Sequence, residues 1–150
     1  MPTRGDVPVE LLDTSAAVAL SVEDHVHHAA IVDGLRGRRL GLAGHAAFET
    51  FSVLTRLPPP ARRPPATIAR LLATNFPETR FLSEGATQEL MAELAGGEIA
   101  GGAIYDALVG AAAREHGAIL VSLDRRAVDT YRVLGVEARI LPAEDPRGEP

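Results

Sequence analysis

The chain has 150 residues, 46% of them apolar, and a net charge of −5, the size and composition of one ordinary globular domain able to bury a core. It contains no cysteine, and all 15 of its basic residues are arginine. Disulfides and thiolate metal sites are therefore excluded, as are chemistries built on a lysine: the P-loop, the Schiff base of pyridoxal enzymes, and the functional lysine of receiver domains and haloacid-dehalogenase-type phosphatases.

Residues 1–8, with two prolines and a glycine, read as a loose arm without the apolar segment of a signal peptide. Residues 9–13 form a short apolar run, a buried first strand. Thr14 and Ser15 cap a helix that opens at Ala16. A second helix spans Asp24 to Gly37, with Ala29, Val32 and Leu35 apolar. Residues 40–43 are a short second strand, and Gly44 leads into a helix through about Arg56 whose apolar face is Ala47, Phe51 and Leu54. Positions 58–65 hold five prolines, which no helix or interior strand tolerates, so this is a stiff connector within the domain. A helix from Ala66 to Asn75, a weak strand from Thr79 to Ser83 and a helix from Gly85 to Leu94 follow. The pairs Gly96-Gly97 and Gly101-Gly102 mark turns. A strongly apolar helix covers Ala103 to Glu115 and stops at Gly117; Ala118 to Ser122 is a strand. Asp124 to Leu134 is a helix, Glu137 to Leu141 a final strand, and residues 142–150 a tail. Strands alternating with helices imply parallel βα units. The expected fold class is α/β: a three-layer α/β/α domain with a short parallel sheet of about five strands, one domain over the whole chain with its core at about 9–141. No apolar run approaches the ~20 residues that span a bilayer, so a cytoplasmic protein without membrane contact is expected.

Four carboxylates interrupt this apolar pattern. Asp13 ends the first strand; Glu49 lies in Ala46-Ala47-Phe48-Glu49-Thr50-Phe51; Asp106 lies in Ala103-Ile104-Tyr105-Asp106-Ala107-Leu108; Asp124 follows Leu120-Val121-Ser122-Leu123. A buried, unpaired carboxylate is costly and normally has a partner or a metal. Parallel sheets bind ligands beyond the carboxyl ends of their strands. If the helices bearing Glu49 and Asp106 start above the edge where Asp13 and Asp124 emerge, the four acids converge, and a divalent cation with oxygen ligands compensates them. Each acid also has a plainer reading: Asp13 and Asp124 as helix caps, Glu49 and Asp106 as first-turn acids favoured by the helix dipole. Ser15 and Ser122, two residues from Asp13 and Asp124, suit either support of the carboxylates or capping. His25, His27 and His28 look like a metal cluster but lack the i, i+4 spacing of zinc helices; His45 and His116 read as surface or capping residues. The four inward acids account for four of the five net negative charges. Between Thr50 and Pro77 there is no acid, but Arg56, Arg62, Arg63 and Arg70 are present. They form a basic segment able to follow an RNA backbone, solvated surface arginine being the alternative.

The order of these motifs resembles a known family. Leu11-Leu12-Asp13-Thr14-Ser15-Ala16 resembles the opening motif of PIN-domain ribonucleases, and Phe48-Glu49-Thr50-Phe51-Ser52-Val53-Leu54-Thr55-Arg56-Leu57-Pro58 their second motif, especially in VapC toxins. The run from Gly101 to Val109 is similar to the third, and Leu120-Val121-Ser122-Leu123-Asp124-Arg125-Arg126-Ala127 to the fourth, where Thr often stands at the position of Ser122. Tyr131-Arg132-Val133-Leu134-Gly135-Val136 also matches such toxins. The resemblance implies a Mg²⁺- or Mn²⁺-dependent endoribonuclease, the toxin of a type II toxin–antitoxin pair. It makes Asp13, Glu49, Asp106 and Asp124 the catalytic, metal-holding acids, with Ser15 and Ser122 as supporting polar residues. It implies an RNA substrate, a VapB-like antitoxin partner, and assembly into homodimers and toxin–antitoxin hetero-oligomers. Apolar residues flanking the connector, such as Phe51, Leu54, Leu57, Ile68, Leu71 and Leu72, offer that partner a groove, ordinary core packing being the alternative. The rival functions are a catalytically silent PIN-type binding module acting through a protein partner, and a metal-dependent phosphatase, which would want a second Asp where Ser15 stands.

Overall fold

In the computed structural model, residues 7–142 are described; all but the first residue of the expected tail and all but the last two residues of the expected arm lie outside them. Four strands, β1 (Val9–Leu12), β2 (Arg39–Leu42), β3 (Ile119–Ser122) and β4 (Ala138–Ile140), form one parallel sheet in the order β2-β1-β3-β4. The helices are α1 (Thr14–Ser21), α2 (His28–Gly34), α3 (Ala46–Thr55), α4 (Pro65–Asn75), α5 (Glu84–Leu94), α6 (Ala103–Glu115) and α7 (Val128–Val133), the last preceded by a 3-10 turn over Arg125–Ala127. No helix among the described residues is long and apolar enough to cross a membrane.

The sheet is apolar on both faces, as a parallel sheet covered by helices must be. Side chains alternate across it. Leu11 and Leu120 pack with Leu90 of α5, Ala107 and Ala111 of α6, and Tyr131 of α7. Leu12, Leu42 and Val121 pack on the other face with Ala16 of α1, Ile31 of α2, Leu54 of α3, and Ile68 and Leu72 of α4. This is the expected three-layer α/β/α arrangement. The chain leaves β1 toward β2 on one side and later places β3 on the other, so the strand order reverses between β1 and β3. That is the switch point at which α/β sheets bind ligands.

The sheet has four strands, and the segment expected as a fifth is reduced to one bridge, Ala43 to Arg80. A parallel ladder begins there: Glu78 N–H donates to the Leu40 carbonyl, Arg80 N–H to Leu42, and Gly44 N–H to Arg80. It is interrupted where the Thr79 hydroxyl, not a backbone carbonyl, accepts from Leu42 N–H at 3.0 Å. Gly41 permits this approach, because a Cβ there would overlap the Glu78 backbone.

Several local expectations change. The cap of α1 is Asp13, whose Oδ1 accepts from Ala16 N–H at 3.1 Å; Thr14 and Ser15 are already helical. The second helix shrinks to His28–Gly34. On α3 the buried stripe is Ala46, Thr50 and Leu54, spaced four apart, while Ala47 and Phe51 are only half-buried. The segment 124–134 splits into the 3-10 turn and α7 because Asp124 caps the turn through Arg126 N–H.

A fifth acid is also buried. Glu10, 1% exposed, lies in the same apolar run as Asp13 and was not among the four singled out from the sequence. It is neutralised by Arg139 of β4 (Nη2–Oε1 2.6 Å) and Arg38 (Nε–Oε2 3.4 Å), so its charge is settled within the fold.

Candidate active site

Asp13 leaves β1 at the switch point and is only 5% exposed. Among the described residues its hydrogen-bond donors are all neutral. Ser15 Oγ donates to Oδ1 at 2.6 Å, Ala16 N–H to the same oxygen, and the Tyr131 hydroxyl to Oδ2 at 3.0 Å. Burial pushes the Asp13 carboxyl above the ordinary range, and the donors from Ser122, Ser15, Ala16 and Tyr131 pull it part of the way back. Burial and the adjacent Asp13 carboxylate push the Tyr131 phenol up, so Tyr131 stays a donor. Among the described residues Glu10 has two arginines, whereas Asp13 has dipoles alone.

The exits of β1 and β3 are stitched together by hydroxyls. Ser122 Oγ accepts from Asp124 N–H at 2.9 Å, Ser15 Oγ accepts from Leu123 N–H at 2.9 Å, and the two hydroxyls lie 3.4 Å apart. Ser15 links the Asp13 carboxylate to the backbone that carries Asp124. Asp124 accepts from Arg126 N–H at 2.9 Å and Arg126 Nε at 3.3 Å, so its capping role and its place at the sheet edge coexist.

Asp106 lies in the first turn of α6, a helix anchored in the core by Ala107, Val109, Ala111, Ala112 and Ala113. Its carboxyl is raised above the ordinary range by partial burial first, then by the negative charges of Asp124, Asp13 and Glu49, with Arg126 opposing. Asp124, Asp13 and Glu49, from three other segments, are thus all near enough to act on the Asp106 carboxyl. Glu49, in the first turn of α3, is 3.6 Å from His45 Nε2. The His45 ring stacks on Tyr105 of α6 with centroids 5.4 Å apart, which ties the two first turns together.

Sequence reasoning missed Tyr131, His45 and Tyr105 as parts of this edge. For Tyr131 a signal existed, since a buried tyrosine needs a partner for its hydroxyl, but that partner is 118 residues away. The four arginines proposed for RNA are exposed. Arg56 lies seven residues along α3 from Glu49, about 10 Å by helix rise. Arg62 Nε donates to the Leu57 carbonyl and Arg63 Nη1 to that of Pro60, which folds both back on the connector.

The donor set is all oxygen and strongly negative, which suits a hard divalent cation such as Mg²⁺ or Mn²⁺ and not zinc or copper. Among the described residues no three His, Asp or Glu side chains close into a metal cage. An open arrangement fits Mg²⁺, which takes one or two carboxylates and fills its other positions with water and phosphate.

A family model described as PIN domain matches residues 11–133. The chain is 49% identical over 129 residues to Ribonuclease VapC27 of Mycobacterium tuberculosis, covering 86% of this chain and 94% of that protein. Among solved structures it resembles Mycobacterium tuberculosis VapC20, a Sarcin-Ricin loop cleaving toxin (TM-score 0.62, 18% identity, 80% of this chain and 93% of that one). It also resembles a chain of VapBC2 from Rickettsia felis bound to a DNA fragment from their promoter (TM-score 0.64, 16% identity, 88% and 98%). At these identities the structural likeness bears on the fold alone.

Proposed function

The chain belongs to the PIN-domain family, and on that premise we propose that it is a metal-dependent endoribonuclease, the toxin of a VapBC-type toxin–antitoxin pair. The observation that carries the reading is the placing of Asp124, Asp13 and Glu49 around Asp106, whose carboxyl is raised by burial first and then by these three charges. A chain that gathers four acids, with its buried Asp13 held only by neutral donors among the described residues, is suited to receive a cation. The name of its 49% identical relative supplies the reaction class.

Asp13, Asp106, Asp124 and Glu49 would hold Mg²⁺ or Mn²⁺. When bound, such a cation neutralises charge growing on the scissile phosphate and makes water more acidic. The chain's own residues do the rest. Ser15 and Tyr131 fix both oxygens of Asp13, so that carboxylate is aimed before anything binds. Ser122 and Ser15 set the backbone at Leu123 and Asp124. The His45–Tyr105 stack sets the spacing of Glu49 and Asp106. RNA would approach over the exposed edge, where Arg126 stands 94% exposed, and Arg56, Arg62, Arg63 and Arg70 would meet its backbone at a distance.

The partner would be a VapB-like antitoxin, as the VapBC2 complex of the structural relative suggests. Leu72 is spent on the core, whereas Leu54 and Ile68 are core residues that also reach a surface cavity. Leu57 and Leu71, with Pro60 and Val22, line an open cavity of ≈ 450 Å³ between α1, α3 and α4, the surface we assign to that partner. The test is cleavage of RNA by the purified protein with Mg²⁺ or Mn²⁺ and with chelator. Cleavage that needs metal and disappears in Asp106→Asn and Asp124→Asn supports the reading. Full cleavage in chelator, or by both variants, ends it.

A further inference from the structure

Beside Asp124, the start of α1, the turn between α1 and α2, α3 and the exit of β3 line an open cavity of ≈ 450 Å³. Its wall includes His25, His27, Val18, Val53, Asp124 and Arg126. The two imidazoles are half-buried, with centroids 5.8 Å apart and planes at 44°. His25 is oriented by the backbone: Nδ1 accepts from His27 N–H at 3.1 Å, so the neutral ring carries its proton on Nε2, a donor. Val18 and Val53 are half-buried apolar surface. Arg126 reaches back to Asp124 at 3.3 Å and leaves the rest of its guanidinium in water.

We propose that this cavity is a nucleobase subsite, in which His25 and His27 hold the base of a nucleotide adjoining the scissile phosphate and Arg126 contacts a neighbouring phosphate. The proposal rests on the endoribonuclease reading. The cavity shares Asp124 with the carboxylate cluster, so a strand whose phosphate lies at the acids has its next nucleotide beside the cavity. Single-stranded RNA is recognised by stacking of splayed bases on aromatic and imidazole rings and by donors to their edges. Two tilted rings over an aliphatic floor, with a guanidinium at the rim, provide a stacking face, a donor and a phosphate fork in one place. The volume lies within the range of small-molecule sites. The histidine motif, which has the wrong spacing for zinc, thereby acquires a role that needs no metal.

The experiment compares the parent, the double variant His25→Ala/His27→Ala and the cavity-filling Val53→Trp on a pool of short single-stranded RNA of randomised sequence. Cleavage ends are sequenced, KM and kcat measured, and folding checked by thermal melting. The expected result is a parent preference at one position adjoining the cut that flattens in the double variant. KM should rise about tenfold, more than kcat falls. Val53→Trp should raise KM in the same way if it melts like the parent; the double variant alone decides the matter if it does not. An unchanged sequence profile and KM in the double variant overturns the subsite while leaving the endoribonuclease reading intact. A double variant altered only in its inhibition by a partner protein overturns it as well. A parent that cleaves no RNA in the pool overturns both.

Discussion

Two buried acids three residues apart show how the same residue type takes opposite parts. Glu10 is paired with Arg139 and Arg38, whereas Asp13 is held by Ser15, Ala16 and Tyr131. Asp13 thus caps α1 and receives the Tyr131 hydroxyl, and its removal should cost stability. We expect Asp13→Ala to lose on the order of 2–4 kcal/mol, from the lost helix cap and the stranded Tyr131 hydroxyl, measurable by urea denaturation. Asp106 should behave in the opposite way. Its carboxyl is raised by burial and by its acidic neighbours, so the folded state binds that proton more tightly than the unfolded chain does. Such a group destabilises the fold at neutral pH, and the penalty fades as pH falls through the raised value toward the ordinary 3.8. Metal-free Asp106→Asn should therefore melt a few degrees above the parent at pH 7, and the gap should close as the buffer approaches that lower value. Equal melting temperatures at pH 7 would show that the acids do not repel. Tyr131→Phe should weaken Mn²⁺ binding about tenfold to a hundredfold by releasing Asp13 Oδ2, read by calorimetric titration.

At the scale of elements, the site depends on short strands that deliver residues to one edge. β2 gains its outer neighbour only because residues 78–80 run close beside it, and Gly41 leaves room for the Glu78 backbone. Gly41→Ala should cost at least about 2 kcal/mol and speed hydrogen exchange at Glu78, Arg80 and Gly44, whose amides make that partial ladder. Unaltered exchange there would mean that the segment docks by other contacts. Helix α6 makes a related demand: Tyr131 Cδ1 would lie 3.1 Å from a Cβ on Gly110, so the small residue lets the tyrosine reach past the helix to Asp13.

For the molecule as a whole, one edge is acidic and the connector is basic, and a net charge of −5 conceals the division. An acidic edge that attracts Mg²⁺ also attracts guanidinium and ammonium groups. An antitoxin of the proposed kind should inhibit by placing a basic side chain among Asp13, Asp106 and Asp124. Its inhibition should weaken as Mg²⁺ rises, tested by cleavage assays across a Mg²⁺ series with each basic residue of the antitoxin replaced. Inhibition indifferent to both metal and replacement would place the block elsewhere.

The sequence alone determined the α/β class, the three layers, α6 to the residue, and a resemblance to the PIN domain that the family match bears out, because apolar period and glycine or proline punctuation are local properties. It named four acids and two serines by their anomaly, an acid or its support inside an apolar run. That criterion could not separate Glu10 from Asp13, since the difference is Arg139, brought alongside by β4. Nor could it show that Tyr131 serves Asp13, that His45 stacks on Tyr105, or that His25 and His27 border the cavity beside Asp124. It read residues 79–83 as a weak strand where the structure has a single bridge, because whether they complete a ladder depends on the path of the chain past Gly41 and on the Thr79 hydroxyl taking a backbone's place. Local pattern fixes which residues are inside; which charge meets which partner is set only when distant segments are packed together.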